Sequence, residues 1–115
     1  MTVRLNREGL EQALTLVENA DFRLNSIWSE SKPSSGAAER YIADHGLEAF
    51  GRWHLAVDET QSEGSPARFV LPYGDFRSLH ASVVERIRID AERDGQNEIA
   101  QAADSILDLL ARFTC

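Results

Sequence analysis

Two apolar helical stripes separated by a very short turn occupy the last third of the sequence, and this arrangement restricts the fold more than any other feature. The first stripe predicts a helix over residues 76–93 with the inward face Phe76, Leu79, Val83, Ile87 and Ala91. Gly95 ends that helix, and Asn97 caps a last helix with the inward face Ile99, Ala102, Ala103, Ile106, Leu110 and Phe113. Because the connection is so short, the two helices must pack antiparallel as an αα-hairpin.

Chain length and apolar content indicate one hydrophobic core. The sequence has 115 residues, of which 43% are hydrophobic, including five Phe, two Trp and two Tyr. A chain of this size is close to the commonest size of a single domain. Residues 1–115 are therefore predicted to form one compact domain.

The charge balance argues against a nucleic-acid partner. Twelve Lys and Arg residues stand against 19 Asp and Glu, which gives a formal charge of −7 that repels a phosphate backbone. No stretch approaches the roughly 18 consecutive apolar residues of a membrane span, and the amino terminus has no apolar signal region. Cys115 is the one cysteine, so an intrachain disulfide cannot form. These features predict a soluble protein of a reducing cytoplasm.

The amino-terminal region predicts an amphipathic helix over residues 7–19. Asn6 is a plausible N-cap, and the apolar positions recur at spacings of three and four: Leu10, Ala13, Leu14, Val17 and Ala20. Asn19-Ala20-Asp21 is expected to end this helix, because asparagine tolerates the left-handed conformation common at helix ends.

A connector and a short second helix are expected next. Phe22, Leu24, Ile27 and Trp28 supply apolar anchors without a clear period, and residues 29–36 are small and polar, as in an exposed loop. Ser34 or Ser35 could cap a helix of two to three turns, which Gly46 would end. Its apolar positions are Ala37, Ala38, Tyr41 and Ile42.

From Leu47 the pattern fits either a helix or a strand. The favoured interpretation is a helical turn over 47–51 followed by a strand over 52–57 that pairs with residues 68–71. Alternation places Trp53, Leu55 and Val57 on the core face, joined by Phe69 and Leu71 from the partner strand, and leaves Arg52, His54 and Ala56 on the solvated face. Asp75 then caps the helix over 76–93. The predicted class is α+β: a mostly helical domain with a small antiparallel β-hairpin and a carboxy-terminal αα-hairpin.

Two segments resemble a small bacterial protein family that has no assigned activity. They are Gly51-Arg52-Trp53-His54-Leu55-Ala56-Val57-Asp58 and the run from Arg68 to His80, which contains Pro72-Tyr73-Gly74-Asp75-Phe76. The likeness extends to residues 98–104 and covers about the last two thirds of the chain. It implies a coherent fold and a bacterial origin, and it transfers no catalytic residue.

A histidine and carboxylate cluster is the sharpest chemical hypothesis. His54, Asp58, Asp75 and His80 lie at the two ends of the predicted hairpin, and such groups could ligate a divalent metal or transfer protons near neutral pH. Their spacing matches no metal motif such as His-Glu-x-x-His. The favoured interpretation therefore places His54 on the solvated strand face, Asp75 at a helix cap and His80 at the edge of the core.

Other catalytic motifs are lacking in the sequence. It contains no Gly-x-Ser-x-Gly elbow, no Walker A loop and no dinucleotide fingerprint, and a terminal cysteine lacks the electropositive setting that activates a thiol. The leading hypothesis is a non-enzymatic cytoplasmic interaction module without a cofactor, which binds a protein partner or a second copy of itself through a helix face. The alternative is a small metal-dependent or acid/base enzyme, or a small-ligand binder, centred on His54, Asp58, Asp75 and His80.

Overall fold

The structure, a computed structural model that describes residues 3–24 and 33–114, has the predicted α+β class. Its helices are α1 Arg7–Glu18, α2 Ser35–His45, α3 Leu47–Gly51, α4 Ala81–Arg93 and α5 Asn97–Thr114. Its strands are β1 Val3–Leu5, β2 Phe22–Arg23, β3 His54–Asp58, β4 Phe69–Pro72 and β5 Leu79–His80, with a 3₁₀ turn at Pro66–Arg68.

A three-stranded antiparallel sheet in the order β1-β3-β4 contains the predicted hairpin. Ala56 of β3 pairs with Leu5 on one side and with Val70 on the other. The sequence pattern did not predict β1, whose addition makes β3 the central strand. All five residues of β3 are buried, so the prediction of a solvated face was wrong for His54 and Ala56. A central strand covered on both faces has no reason to alternate between apolar and polar residues.

The αα-hairpin is confirmed. Helix α4 buries Val83, Val84, Ile87 and Ala91, and α5 buries Ile99, Ala100, Ala102, Ala103, Ile106 and Leu110. Gly95 takes the left-handed conformation at φ 74°, and Gln96 N–H donates to the Ala91 carbonyl at 2.8 Å. These are the features of a Schellman helix end. Phe113 departs from the predicted inward face, because its side chain is 49% exposed near the end of α5.

The helix predicted over 76–93 begins five residues later, at Ala81. Asp75 does accept backbone hydrogen bonds as a cap would, from Arg77 at 3.1 Å and Ser78 at 2.8 Å. Phe76 has φ 68°, however, and a left-handed residue cannot continue a right-handed helix. Residues 79–80 instead form β5, which pairs in parallel with β2.

The remaining helices follow the sequence pattern closely. Helix α1 begins after Asn6, as predicted, and ends at a left-handed residue that is Ala20 (φ 62°), not Asn19. The Ser34 hydroxyl caps α2 by accepting from Ala37 N–H at 3.2 Å, and Gly46 ends that helix. Residues 47–51 are helical, as favoured.

Some sequence predictions lie outside the described residues. These concern Ile27, Trp28, the loop residues 29–32 and Cys115. Within residues 3–24 and 33–114, no helix is long and apolar enough to cross a membrane.

Candidate functional site

The turn that leads from α3 into β3, residues 51–54 and here called the corner, is fixed by two side chains from distant parts of the chain. Asn6 Nδ2 donates to the carbonyls of Gly51 at 2.9 Å and His54 at 3.0 Å. The Tyr73 hydroxyl donates to the carbonyl of Arg52 and lies 3.1 Å from that of Gly9. Buried carbonyls need such partners, because an unpaired polar group away from water costs free energy.

Gly9 lets α1 lie directly against the corner. A Cβ atom placed at Gly9 would be 1.9 Å from the His54 carbonyl oxygen, a separation that no side chain can occupy. Asn6 backbone N–H also donates to the Leu55 carbonyl at 2.8 Å, so the start of α1 and β3 are joined by main-chain and side-chain bonds together. The Asn6 side chain makes no cap bond to α1.

His54 is enclosed by the fold and hydrogen-bonded to it. The residue is 6% exposed, and Nδ1 lies 2.9 Å from the Phe50 carbonyl oxygen. A carbonyl only accepts, so Nδ1 carries the proton and the imidazole is the Nδ1–H tautomer. The ring lies beside Phe50 and Phe69, with centroid distances of 4.6 and 6.0 Å. Burial lowers the pKa of His54 to about 4, so the imidazole is neutral near pH 7.

Asp58, at the end of β3, serves the turn that follows it. Its Oδ1 accepts from the Thr60 hydroxyl at 2.6 Å and from Thr60 N–H at 3.0 Å. These bonds, the hydroxyl first, hold the pKa of Asp58 below its usual value. Asp58 is four residues from His54, which at about 3.3 Å per residue separates the two positions by about 13 Å along the strand.

Asp75 and His80 are the two candidates that the structure brings together. His80 Nε2 lies 3.2 Å from Asp75 Oδ2, with side chains 1% and 23% exposed respectively. Burial raises the pKa of Asp75, but hydrogen bonds from Ser78 N–H, His80 and Arg77 N–H outweigh it and leave that pKa below its usual value. The partner that faces solvent is thus the carboxylate, whereas the imidazole is enclosed.

The chemical consequence is that the four candidates do not form one site. In the described part of the chain, no group of three or more His, Cys, Asp or Glu side chains is arranged to hold a metal ion. A cleft of about 340 Å³ lies beside β1 and the turn before α5, and one of about 230 Å³ lies between β4 and α4. Neither is lined by His54, Asp58, Asp75 or His80.

Aromatic rings fill the space between α2, α3 and the β3–β4 hairpin. Tyr41 and Phe76 stack at 4.4 Å with an interplanar angle of 10°, and Trp53 meets the Phe76 ring edge-on at 6.1 Å. Trp53 Nε1 donates to the Tyr41 hydroxyl at 3.1 Å. This group, Tyr41, Trp53 and Phe76, is here called the aromatic latch, and its members pack against one another.

Sequence reasoning missed the residues on which the corner most depends: Asn6, Gly9 and Tyr73. Asn6 resembles an ordinary helix cap, and Gly9 resembles a weak helix position. Most of their partners lie 45 or more residues away along the chain. The exception is the Tyr73–Arg52 pair, which is separated by 21 residues. A single sequence gives no signal for such distant pairs.

Comparison with protein-family models, with curated proteins and with solved structures found no match for this chain.

Proposed function

We propose that this chain is a non-enzymatic, cytoplasmic interaction module of bacterial origin that associates with a second copy of itself. The observation that carries the proposal is the burial of both candidate imidazoles, since His54 is 6% exposed and His80 is fully buried. A general acid or base must come within about 3 Å of the proton that it transfers. An imidazole enclosed by its own fold does not meet a substrate in that way.

An exposed apolar residue on α4 supports the choice of a second copy as the partner. Ile89 is 45% exposed, and its helical neighbours form ion pairs: Arg86 with Asp90 at 3.3 Å, and Arg93 with Asp90 at 3.5 Å and with Asp94 at 3.3 Å. The residues three and four positions from Ile89 along the helix are Glu85, Arg86, Glu92 and Arg93, which together form a patch with no net formal charge, on a chain of charge −7. Two acidic copies repel each other least where the local charge is balanced.

The symmetry of a homodimer suits such a patch. In a two-fold interface the same surface is presented by both copies, so that arginines of one can meet acidic residues of the other. Ile89 of each copy would then lose its water contact at the centre of the interface, which is the usual place for apolar residues.

Sedimentation or light scattering from micromolar to millimolar concentration tests the proposal. We expect the wild-type mass to rise with concentration and Ile89→Glu to remain monomeric. Gln101→Glu is the matched control, because it adds the same charge at an exposed position of α5 and should associate like the wild type. A wild-type protein that stays monomeric throughout, or two variants that behave alike, would contradict self-association through this patch.

The alternative function, a metal-dependent or acid/base site, retains one favourable observation. Asp75 and His80 do meet, and Asp75 is accessible enough to contact a ligand. Calorimetric titration with Zn²⁺ tests this alternative, since imidazole and carboxylate are ordinary zinc ligands. Saturable binding that is lost in Asp75→Asn would favour the alternative over the interaction module.

A further inference from the structure

Helix α2 buries less of its surface than the other long helices do. Its described side chains are half-buried at most, whereas α1, α4 and α5 each contain three or more buried residues. Helices that bury little apolar surface open at a lower free energy than the core does. The stability of α2 in its docked position is therefore expected to depend on a few contacts.

Tyr41 is the member of the aromatic latch that lies on α2, and it contacts both of the other members. Its ring stacks on Phe76 at 4.4 Å, and its hydroxyl accepts the Trp53 indole N–H at 3.1 Å. Phe76 lies in the turn before β5 and Trp53 lies in the corner, so the Tyr41 side chain joins α2 to two other parts of the domain.

Gly46 is a suitable hinge between α2 and α3. It is the one residue between the two helices, with φ 91° and ψ 162°, and a Cβ atom placed on it would meet nothing within 4 Å. Its N–H closes α2 by donating to the Ile42 carbonyl at 2.8 Å. Glycine adopts a wide range of φ and ψ, so a change of these angles at Gly46 can redirect α2.

The backbone conformation of Phe76 also bears on how firmly α2 is docked. Its φ of 68° is unfavourable for a bulky side chain, and the docked Tyr41 ring helps to hold the Phe76 ring in place. Undocking of Tyr41 would remove one of the ring contacts that hold Phe76 in this conformation.

We propose that α2 undocks as a unit about Gly46 while the sheet and the αα-hairpin stay folded, and that Tyr41 is the residue that holds it closed. Opening uncovers the stacked face of Phe76 and frees the Trp53 indole N–H. This conformational step is independent of self-association, because it involves neither α4 nor Ile89.

Native-state hydrogen exchange followed by NMR tests the step. In the wild type, the α2 amides and the Trp53 indole N–H should exchange through a common opening that is faster than exchange at Ile106 and Leu110 in α5. Tyr41→Ala should raise α2 exchange by about tenfold to a hundredfold, since it removes a ring stack and a hydrogen bond, and should leave α5 unchanged. Tyr41→Phe keeps the stack and should mainly accelerate the indole proton.

Arg40→Ala is the matched control, because it places the same residue at an exposed position of the same helix. It should leave α2 exchange close to that of the wild type. The proposal is overturned if wild-type α2 amides are as protected as those of Ile106 and Leu110. It is also overturned if Tyr41→Ala changes nothing, or accelerates exchange in α5 by the same factor as in α2.

Discussion

The Asn6 side-chain amide lies 2.9 Å from the carbonyl oxygen of Gly51, a residue 45 positions further along the chain. With its second N–H bond, to His54, the same amide ties the beginning of α1 to the end of α3 and to β3. A side chain at a helix-cap position thus stabilises the corner in place of its own helix. Three secondary-structure elements depend on this one amide group.

Asn6→Asp should destabilise the protein by about 2–4 kcal/mol, because a carboxylate cannot donate and would face two carbonyl oxygens. Urea unfolding measures the loss. Asn97→Asp is the control: it makes the same chemical change at an exposed residue in the first turn of α5, where a negative charge is tolerated or favourable. Equal effects of the two changes would show that Asn6 has no special role.

Gly9→Ala should destabilise by about 1–3 kcal/mol, the usual cost of inserting a group into packed structure. The new Cβ would lie 1.9 Å from the His54 carbonyl oxygen, so α1 must shift away from β3. Gly36→Ala is a matched control within α2, where a Cβ would lie 4.0 Å from Ser34 Oγ. The higher helix propensity of alanine should stabilise the protein by up to about 1 kcal/mol. A stabilising Gly9→Ala in thermal melts would contradict the packing described for α1.

Elements whose sequence signals are local were predictable, whereas elements that depend on distant parts of the chain were not. Amphipathic periodicity predicted α1 and α5 within a residue or two, and Gly95 located the turn of the αα-hairpin, because these signals are contained in adjacent residues. The strand β1 was missed, since it has three residues and its partner begins at residue 54. Because β1 was missed, His54 was wrongly predicted to lie on a solvated face.

The helix prediction for residues 76–80 was wrong for a different reason. Asp75 forms the hydrogen bonds of a helix cap, and the apolar spacing continues from the following helix, so local pattern favoured a helix. The left-handed Phe76 and the parallel pairing with β2 depend on contacts of the Phe76 ring and on a strand more than 50 residues earlier. Alternation and capping rules do not contain that information.

The two left-handed helix ends give a reciprocal pair of predictions. Ala20 and Gly95 occupy the same place in Schellman endings, at φ 62° and 74°. Ala20→Gly should stabilise the protein and Gly95→Ala should destabilise it, each by about 1 kcal/mol, because a Cβ atom is unfavourable in this conformation. Paired urea titrations measure both changes, and effects of the same sign would contradict the assignment of the helix ends.

The stability of the protein should fall between about pH 6.5 and pH 4 because of His54. Its folded pKa is lowered to about 4 from a reference of 6.5, so the unfolded chain takes up a proton first as the pH decreases. The contribution of neutral His54 to the free energy of unfolding is fully present above pH 6.5. About 3 kcal/mol of that free energy is lost as the pH falls to the folded pKa. Urea unfolding at several pH values should show this slope, and His54→Gln should flatten it. An unchanged slope in that variant would assign the acid sensitivity to other groups.

We propose that His54 in the corner and His80 in β5 serve the fold and not a reaction. NMR titration of the His54 imidazole tests this most directly, because its ¹³C and ¹⁵N shifts report both protonation and tautomer. We predict a neutral Nδ1–H ring that remains neutral on acidification until close to pH 4. A His54 that titrates near 6.5, or that carries its proton on Nε2, would contradict the account and leave an accessible imidazole available for chemistry.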